Sequence, residues 1–274
     1  VGSEMCIRDS IGSIRNSGFE LQLDGRIIDR AVKWDLGVNF SLNRSKVLVL
    51  SEDKDIFGGE LDNTILKDQL NLMRVGEPMY VFYGYVEDGY DENGHIVYKN
   101  MDDDPAITAA DKTIIGDPNP DFLVNLTTAV SYKGFTLSAF FQSSIGNDIY
   151  SLSMAAQAYD YGYNGNTLRE VYYNHWSPEN PTAKYPNLDQ TSYKMSDRFV
   201  YDGSFVRLKN LELAYDVPCA RSKFIKRARV YVSAQNLFTI TSYPFWDPDI
   251  NANGGGSSMI QGVDSYCYPS ARTY

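Results

Sequence analysis

Residues 32–43 read Val32-Lys33-Trp34-Asp35-Leu36-Gly37-Val38-Asn39-Phe40-Ser41-Leu42-Asn43. Every second residue in it is apolar, and the residues between them are polar or glycine. Successive side chains of a strand point to opposite faces, so this pattern predicts a β-strand with one apolar and one polar face. Residues 19–24 alternate in the same way, and Asp29-Arg30 predicts a short turn between the two strands.

The same alternation continues further along the chain. Residues 122–131 and 135–144 flank Tyr132-Lys133-Gly134, which predicts a second hairpin. Further strands are predicted at 205–218, at 229–239, from Ser265 to the end, and once or twice within 78–99. We therefore expect an all-β chain of about eight to ten antiparallel strands.

The connections between these strands are of two kinds. Short ones are predicted near Asp29, near Lys133 and at 218–227. Long ones, rich in Asp, Asn, Gly and Tyr, are predicted at 44–76, 100–118, 146–199 and 241–262. Pairing order places the long connections on one side of the sheet. Short turns at one end and long loops at the other are typical of an antiparallel transmembrane β-barrel, whose strands hide their apolar residues at every second position.

The composition argues against several classes of protein. The formal net charge is -10, whereas nucleic-acid phosphates require a basic surface, so we expect no nucleic-acid partner. The two histidines, His95 and His175, stand next to no nucleophile motif, and HExxH, GxSxG and P-loop patterns are absent from the sequence. We therefore expect that the chain is not an enzyme.

The segment 100–111 has the residue spacing of a calcium-binding loop. Asn100, Asp102 and Asp104 occupy positions 1, 3 and 5, and Asp111 occupies position 12. Such spacing supplies the converging oxygens that a hard cation needs. Position 6 is Pro105, which lacks the positive φ that glycine gives this turn. The segment is therefore either a calcium site or an acidic, solvated loop, and calcium is the one cofactor that the sequence suggests.

Several motifs occur in one order along residues 11–274, and together they resemble a known family. They are Asn16–Glu20, Trp34–Asn43, Val75–Pro78 with Phe82–Tyr85, Ile115–Phe122, Tyr132–Phe135, Arg229–Phe238, Asp247–Asn251, the glycines 254–256 and Tyr268–Tyr274. This series is similar to the C-terminal part of the SusC/RagA-like TonB-linked outer-membrane transporters of Bacteroidetes type. Residues 1–10 do not resemble the family, and we expect them to be a non-native leader.

The resemblance implies a fold and a function. The family has an N-terminal plug domain and an antiparallel barrel of about 22 strands, so residues 11–274 are expected to be its C-terminal strands, truncated before the terminal strand ends. The implied function is import of oligosaccharides or peptides through the outer membrane. The implied partners are a SusD-like surface lipoprotein that closes over the barrel, TonB acting through the missing N-terminal region, and outer-membrane lipid.

The connection 146–199 carries the candidate contacts for a ligand or for the lipoprotein lid. Aromatic rings pack well against sugar rings and apolar peptide side chains. The selected residues are Tyr159, Tyr161, Tyr163, Tyr172 and Trp176. The alternative is that these rings pack the loop on itself. Residues 167–175 also predict a short helix.

Two other functions remain open from the sequence. A soluble all-β carbohydrate-binding module would bury the apolar face against a second sheet. A plug-less porin or adhesin would close a complete barrel within these residues. Hydropathy does not separate these alternatives, because lipid and a facing sheet accept the same alternation.

Overall fold

The computed structural model describes residues 12–51, 54–62, 66–159, 166–219, 224–250 and 260–274, so the expected leader lies outside the described residues. Its main element is a sheet of six long antiparallel strands. They are β1 (Gly12–Asp29), β2 (Val32–Leu50), β3 (Phe122–Tyr132), β4 (Phe135–Ile145), β5 (Phe205–Val217) and β6 (Ala228–Thr241). Their order in the sheet is their order in the sequence. The strands predicted at 32–43, 122–131, 135–144, 205–218 and 229–239 are thereby confirmed.

Two-residue turns join β1 to β2 and β3 to β4, as predicted. In the second turn, Lys133 and Gly134 have φ values of 48° and 87°. Positive φ at both central residues matches the twist of the flanking strands and fixes their register. The turn therefore aligns Tyr132 with Phe135 at the end of the hairpin.

The register sorts the side chains of the sheet onto two faces. Val38 lies opposite Leu23 on one side and Leu126 on the other, and Leu126 in turn lies opposite Phe141. Directly opposite residues share a face, and the same rule extends this apolar face to Leu208 of β5. The alternate positions form the polar face.

The apolar face is open at positions on β1, β4 and β6. The exposed fractions of Leu23, Leu137 and Val232 are 58%, 48% and 64%. A sandwich would cover these side chains with a second sheet about 10 Å away, and nothing in the described residues does so at these positions. The main sheet is thus a single layer.

Three long connections, 51–121, 146–204 and 242–274, fold together at one end of the sheet, and we call their described residues the loop layer. Its short strands are Ile56–Phe57, Glu60–Asp62, Lys67–Gln69, Asn71–Met73, Val81–Gly84, Glu87–Tyr90, Ile96–Tyr98, Thr113–Gly116, Asp148–Ser151, Val200–Asp202 and Val263–Asp264. Its helices are α1 (Leu152–Tyr159), α2 (Arg169–Tyr173) and two 3-10 turns, Ala109–Asp111 and Asp197–Phe199. The predicted asymmetry of short and long connections is confirmed, as is the short helix within 167–175.

The main hydrophobic core lies in the loop layer, not in the sheet. Phe82, Tyr150 and Val263 come from the three different connections, and each is fully buried in one cluster. The ion pair of Glu87 and Arg198 joins the first connection to the second and is largely shielded from water. The loop layer is therefore one packed unit.

The strands predicted within 78–99 do form, and they pair with other short strands of the loop layer. The strand predicted from Ser265 to the end is wrong. From residue 265 to the end no continuous strand forms in the described chain. Thr273 makes a single antiparallel bridge with Gln235 at the edge of β6, through backbone hydrogen bonds of 2.8 and 3.3 Å. Among the described residues, no helix combines the length and apolar character that crossing a membrane requires.

Arg207 of β5 fastens the last connection to the polar face of the sheet. Its guanidinium is buried and donates hydrogen bonds to the carboxylate of Asp247, to the Ser270 hydroxyl at 3.0 Å and to Thr239 Oγ1 at 2.9 Å. Burial raises the pKa of Asp247, but hydrogen bonds from two backbone N–H groups and from Arg207 outweigh it and leave this pKa below its usual value. The ionised carboxylate therefore stabilises this contact above the usual carboxyl pKa, and the contribution is lost as the pH falls through the lowered pKa.

Replacing Arg207→Gln should loosen the last connection, because Asp247 would be left buried and without its cation. We expect a loss of about 3–5 kcal/mol in the local stability of residues 242–250, measured by hydrogen exchange. The matched control is Arg229→Gln on β6, whose partially exposed pair with Glu212 should contribute about 1 kcal/mol or less. Equal losses in the two variants would contradict this role for Arg207.

Replacing Gly134→Ala should weaken the β3–β4 hairpin by about 1 kcal/mol, since an alanine there must adopt the left-handed conformation. Gly25→Ala in β1 is the control, because its φ is not positive and a Cβ there would meet no atom within 4 Å. Urea unfolding of the folded receptor gives the free energies. A loss at Gly25 as large as that at Gly134 would argue against the turn geometry.

Candidate functional site

A row of side-chain carboxamides crosses the polar face close to the loop layer. Gln22 lies opposite Asn39, Asn39 opposite Asn125, and Asn125 opposite Gln142. Adjacent strands are about 4.8 Å apart, so the four groups follow one another across β1, β2, β3 and β4. We call Gln22, Asn39, Asn125 and Gln142 the carboxamide row. The register continues it to Arg207 on β5.

Clefts border the carboxamide row on the polar side. One of about 410 Å³ includes Gln22, Asn39 and Asn125 in its lining. Another of about 280 Å³ is lined by Asn125 and Gln142 together with loop-layer residues such as Gln261. The row therefore leads from the open wall of the sheet to the underside of the loop layer.

The row keeps unused hydrogen-bonding capacity. The Oδ1 atom of Asn125 is buried and has no hydrogen-bond partner among the described residues. Asn39 and Gln142 make no side-chain hydrogen bond within the described part of the chain, whereas Gln22 donates to Asp24 over 2.8 Å. A buried carbonyl oxygen without a partner is costly, so this face is suited to receive hydroxyl or N–H donors from a ligand.

The calcium-like segment closes on its own backbone. The Asn100 side chain accepts from the N–H of Asp102, and Asp102 accepts from the N–H of Asp104, at 3.1 and 2.8 Å. The Asp111 carboxylate accepts from the N–H groups of Met101 and Thr108, both at 2.7 Å. Within the described ranges, no group of three or more His, Cys, Asp or Glu side chains is arranged to hold a metal ion.

Asp111 is the residue that organises this segment. It is buried, and the backbone N–H groups of Met101 and Thr108 hold its pKa below the usual value. Its oxygens are therefore already engaged, while those of Asp102 and Asp104 belong to local turns. The geometry accounts for a folded acidic loop without a cation, and calcium binding stays a prediction.

Two of the selected aromatic residues pack inside the loop layer. The Tyr159 ring is 5% exposed and stacks on Tyr193 with a centroid distance of 3.8 Å. Trp176 covers Gly94, so closely that a Cβ on this glycine would lie 2.2 Å from the indole. Both rings hold the loop layer together in this structure.

Tyr172 has a different environment. It is 62% exposed on α2, beside Tyr173, which is 70% exposed and meets it edge to face at 5.0 Å. The two rings form an outward-facing aromatic pair. Tyr161 and Tyr163 lie outside the described residues. Of the three candidate residues that the structure describes, Tyr172 is thus the one with a largely exposed ring.

The chain resembles known receptors over nearly its whole length. No family model matches it. TonB-dependent receptor P3 of Formosa agariphila is 32% identical over 287 residues, which cover 97% of this chain and 28% of that receptor. TonB-dependent receptor SusC of Bacteroides thetaiotaomicron is 28% identical over 276 residues, covering 97% and 26%. The chain therefore spans little more than a quarter of the length of the curated relatives it matches.

Solved structures agree with this likeness. A structure of the RagAB peptide transporter superposes with a TM-score of 0.76 at 25% identity, covering 96% of this chain and 28% of that one. The RagAB peptide importer in its closed-closed state gives 0.77 at 25% identity, covering 95% and 29%. The expected fold class is confirmed, and the open six-stranded sheet is part of an antiparallel β-barrel. The chain belongs to the SusC/RagA-like family of TonB-dependent receptors.

Proposed function

We propose that this chain supplies barrel wall and outer loops to an outer-membrane importer, which takes up oligosaccharides or peptides together with a SusD-like lipoprotein. The observation that carries the proposal is the single-layered sheet with one open apolar face and one open polar face. In this proposal lipid covers the apolar face, and the polar face lines a water-filled lumen. The loop layer stands at the outer mouth, where nutrient arrives.

The dimensions of the apolar face support a membrane position. Aromatic residues cluster near both of its ends: Phe40 and Phe122 stack at 5.8 Å toward the loop layer, and Phe135 meets Tyr215 at 4.5 Å beside the short turns. Strand β3 spans about 33 Å between these ends at ~3.3 Å per residue. With the usual tilt of barrel strands, this length gives a band of about 25 Å with an aromatic girdle at each edge.

The two rival functions fit less well. A carbohydrate-binding sandwich requires a covered apolar face, but Leu23 and Val232 are more than half exposed. A porin or adhesin complete in itself requires closure, whereas β1 and β6 are the two unjoined edges of the described sheet. An open edge invites pairing with further strands. In our proposal, neighbouring barrel strands of the receptor provide those partners.

The partners follow from the same arrangement. SusC and the RagAB complex are among the similar proteins, which supports a lipoprotein lid in general terms. We assign the lid contact to the exposed pair Tyr172 and Tyr173. Coupling to TonB belongs, in this proposal, to parts of the receptor that these residues do not include. The acidic balance of the chain disfavours nucleic acid as a partner.

The first test concerns the membrane face. Leu126→Arg should cost about 2–4 kcal/mol in the free energy of unfolding if the side chain meets lipid near the midplane. Thr127→Arg is the matched control, because the next residue of β3 points to the polar face, where water accepts the charge. Reversible urea unfolding in liposomes measures both. Equal losses of unfolding free energy in the two variants would contradict the assignment of the apolar face to lipid.

The second test concerns the lid. The double change Tyr172→Ser and Tyr173→Ser should weaken association with the lipoprotein about tenfold, since two exposed rings lose their contact area. Surface plasmon resonance with the purified lipoprotein gives the affinity. Tyr159→Phe is the control: it removes a buried hydroxyl that has no partner in the described residues and should leave association unchanged. If the double variant binds the lipoprotein with unchanged affinity, the two rings on α2 do not form the lid contact.

A further inference from the structure

We propose that the carboxamide row is a binding site for a neutral oligosaccharide inside the barrel, with Trp246 as a stacking surface at its far end. This inference rests on the proposed function and names the ligand class and the residues that hold it. The row lies on the polar face of the sheet, apart from the exposed aromatic pair on α2.

The chemistry of the row matches sugar hydroxyl groups. A carboxamide offers two N–H donors and one carbonyl acceptor without carrying charge, and a hydroxyl group is likewise both donor and acceptor. Asn39 and Gln142 have free capacity within the described chain, and the buried Oδ1 of Asn125 has no partner there. A bound hydroxyl would satisfy this oxygen, which the protein leaves unsatisfied at a cost.

The spacing of the row suits a chain of sugar rings. Four groups on adjacent strands extend over about 14 Å, in steps of ~4.8 Å, and each step is close to the length of one sugar ring. The clefts beside Asn39 and beside Gln142 give the ligand room along this line. The row therefore presents repeated, equivalent contacts to a repeating ligand.

Trp246 adds an aromatic surface where the row ends. It is 57% exposed and stacks on Phe245 with a centroid distance of 4.7 Å. It also lines a cleft of about 350 Å³ with Arg207 and Thr239, the two residues that continue the register of the row. One indole face is thus supported and ring area remains accessible, which suits packing against a sugar ring.

A sugar ligand fits these observations better than a peptide. The four residues of the row carry no charge, so none of them pairs with the termini or charged side chains of a peptide. Their donors and acceptors serve hydroxyl groups and peptide backbone groups alike, and the accessible indole of Trp246 is what favours the apolar side of a sugar ring. The experiment below therefore measures peptide binding as well as sugar binding.

The test uses the intact receptor that carries these residues, purified in detergent, and isothermal titration calorimetry. The probes are a panel of neutral gluco-, xylo- and manno-hexasaccharides and, separately, a mixed pool of hexapeptides. The row variant combines Asn125→Leu with Gln142→Met. The control combines Ser131→Ala with Ser138→Ala, which removes two polar groups from the same two strands and the same face, away from the row.

We expect at least one hexasaccharide to bind, with affinity at least tenfold weaker in the row variant and less than twofold changed in the control. Heat-modifiable migration of the barrel on gels checks that each variant is folded. Gln142→Glu, which keeps the size of the side chain and adds charge, is a second variant expected to weaken binding several-fold. If the double variant does not fold, the Gln142→Glu variant still tests whether the row binds the sugar.

Unchanged hexasaccharide affinity in the folded row variants would overturn the proposal. Binding of hexapeptides alone would overturn the sugar assignment. TonB-dependent uptake of the probes by cells is measured in parallel. If the wild type imports a probe and the row variants bind it unchanged, the row is not the binding site and the proposed function still stands. If the wild type neither binds nor imports any probe, both the binding-site proposal and the proposed function are contradicted.

Discussion

The constraint on which the structure depends is the register between neighbouring strands. The sheet is one layer thick, so its two faces meet different surroundings and cannot exchange roles. A slip of one residue would turn Leu126 and its apolar neighbours to the polar side and bring Thr127 to the other. Turns of two residues secure this register at the ends of β1 and β3, and in the second of these turns Lys133 and Gly134 adopt positive φ.

The long connections stabilise the strand register in a different way. They cannot fix the register by tight turns, and they instead share a hydrophobic core that holds the ends of the long strands. Phe82 and Tyr150 from separate connections meet there at 6.2 Å, while Arg207 binds the last connection from the sheet side. The single-layered sheet has little core of its own, and the long connections supply one.

Most of the main sheet could be predicted from the sequence because its signals are local. The alternation of Val32–Asn43 and the Lys133-Gly134 turn determine their own conformation. Alternation does not tell which sheet a strand joins, so the sequence leaves the partners of Val81–Gly84 open, and the structure pairs this strand within the loop layer. The stretch from Ser265 to the end joins the main sheet at one described residue, Thr273, which bridges to β6.

The candidate site was less accessible to sequence reasoning. Tyr159, Tyr172 and Trp176 look equivalent as aromatic residues of one connection, and only packing separates the buried Tyr159 and the half-buried Trp176 from the exposed Tyr172. The carboxamide row consists of single residues on four strands, up to 120 positions apart in the sequence. Each is an ordinary polar position of its own strand. The row becomes visible only when the pairing of Asn39 with Asn125, and of Asn125 with Gln142, is known.

The shared core of the loop layer also has a consequence for the order of folding. The side chain of Asn71 donates to the carbonyl of Gln261 over 3.0 Å, although the two residues are 190 positions apart in the sequence. Contacts between such distant residues carry a large entropy cost of loop closure and form slowly. The hairpins β1–β2 and β3–β4 need only neighbouring residues, so they can pair early. The loop layer becomes complete only when residues near Gln261 join it, so it forms after the two hairpins.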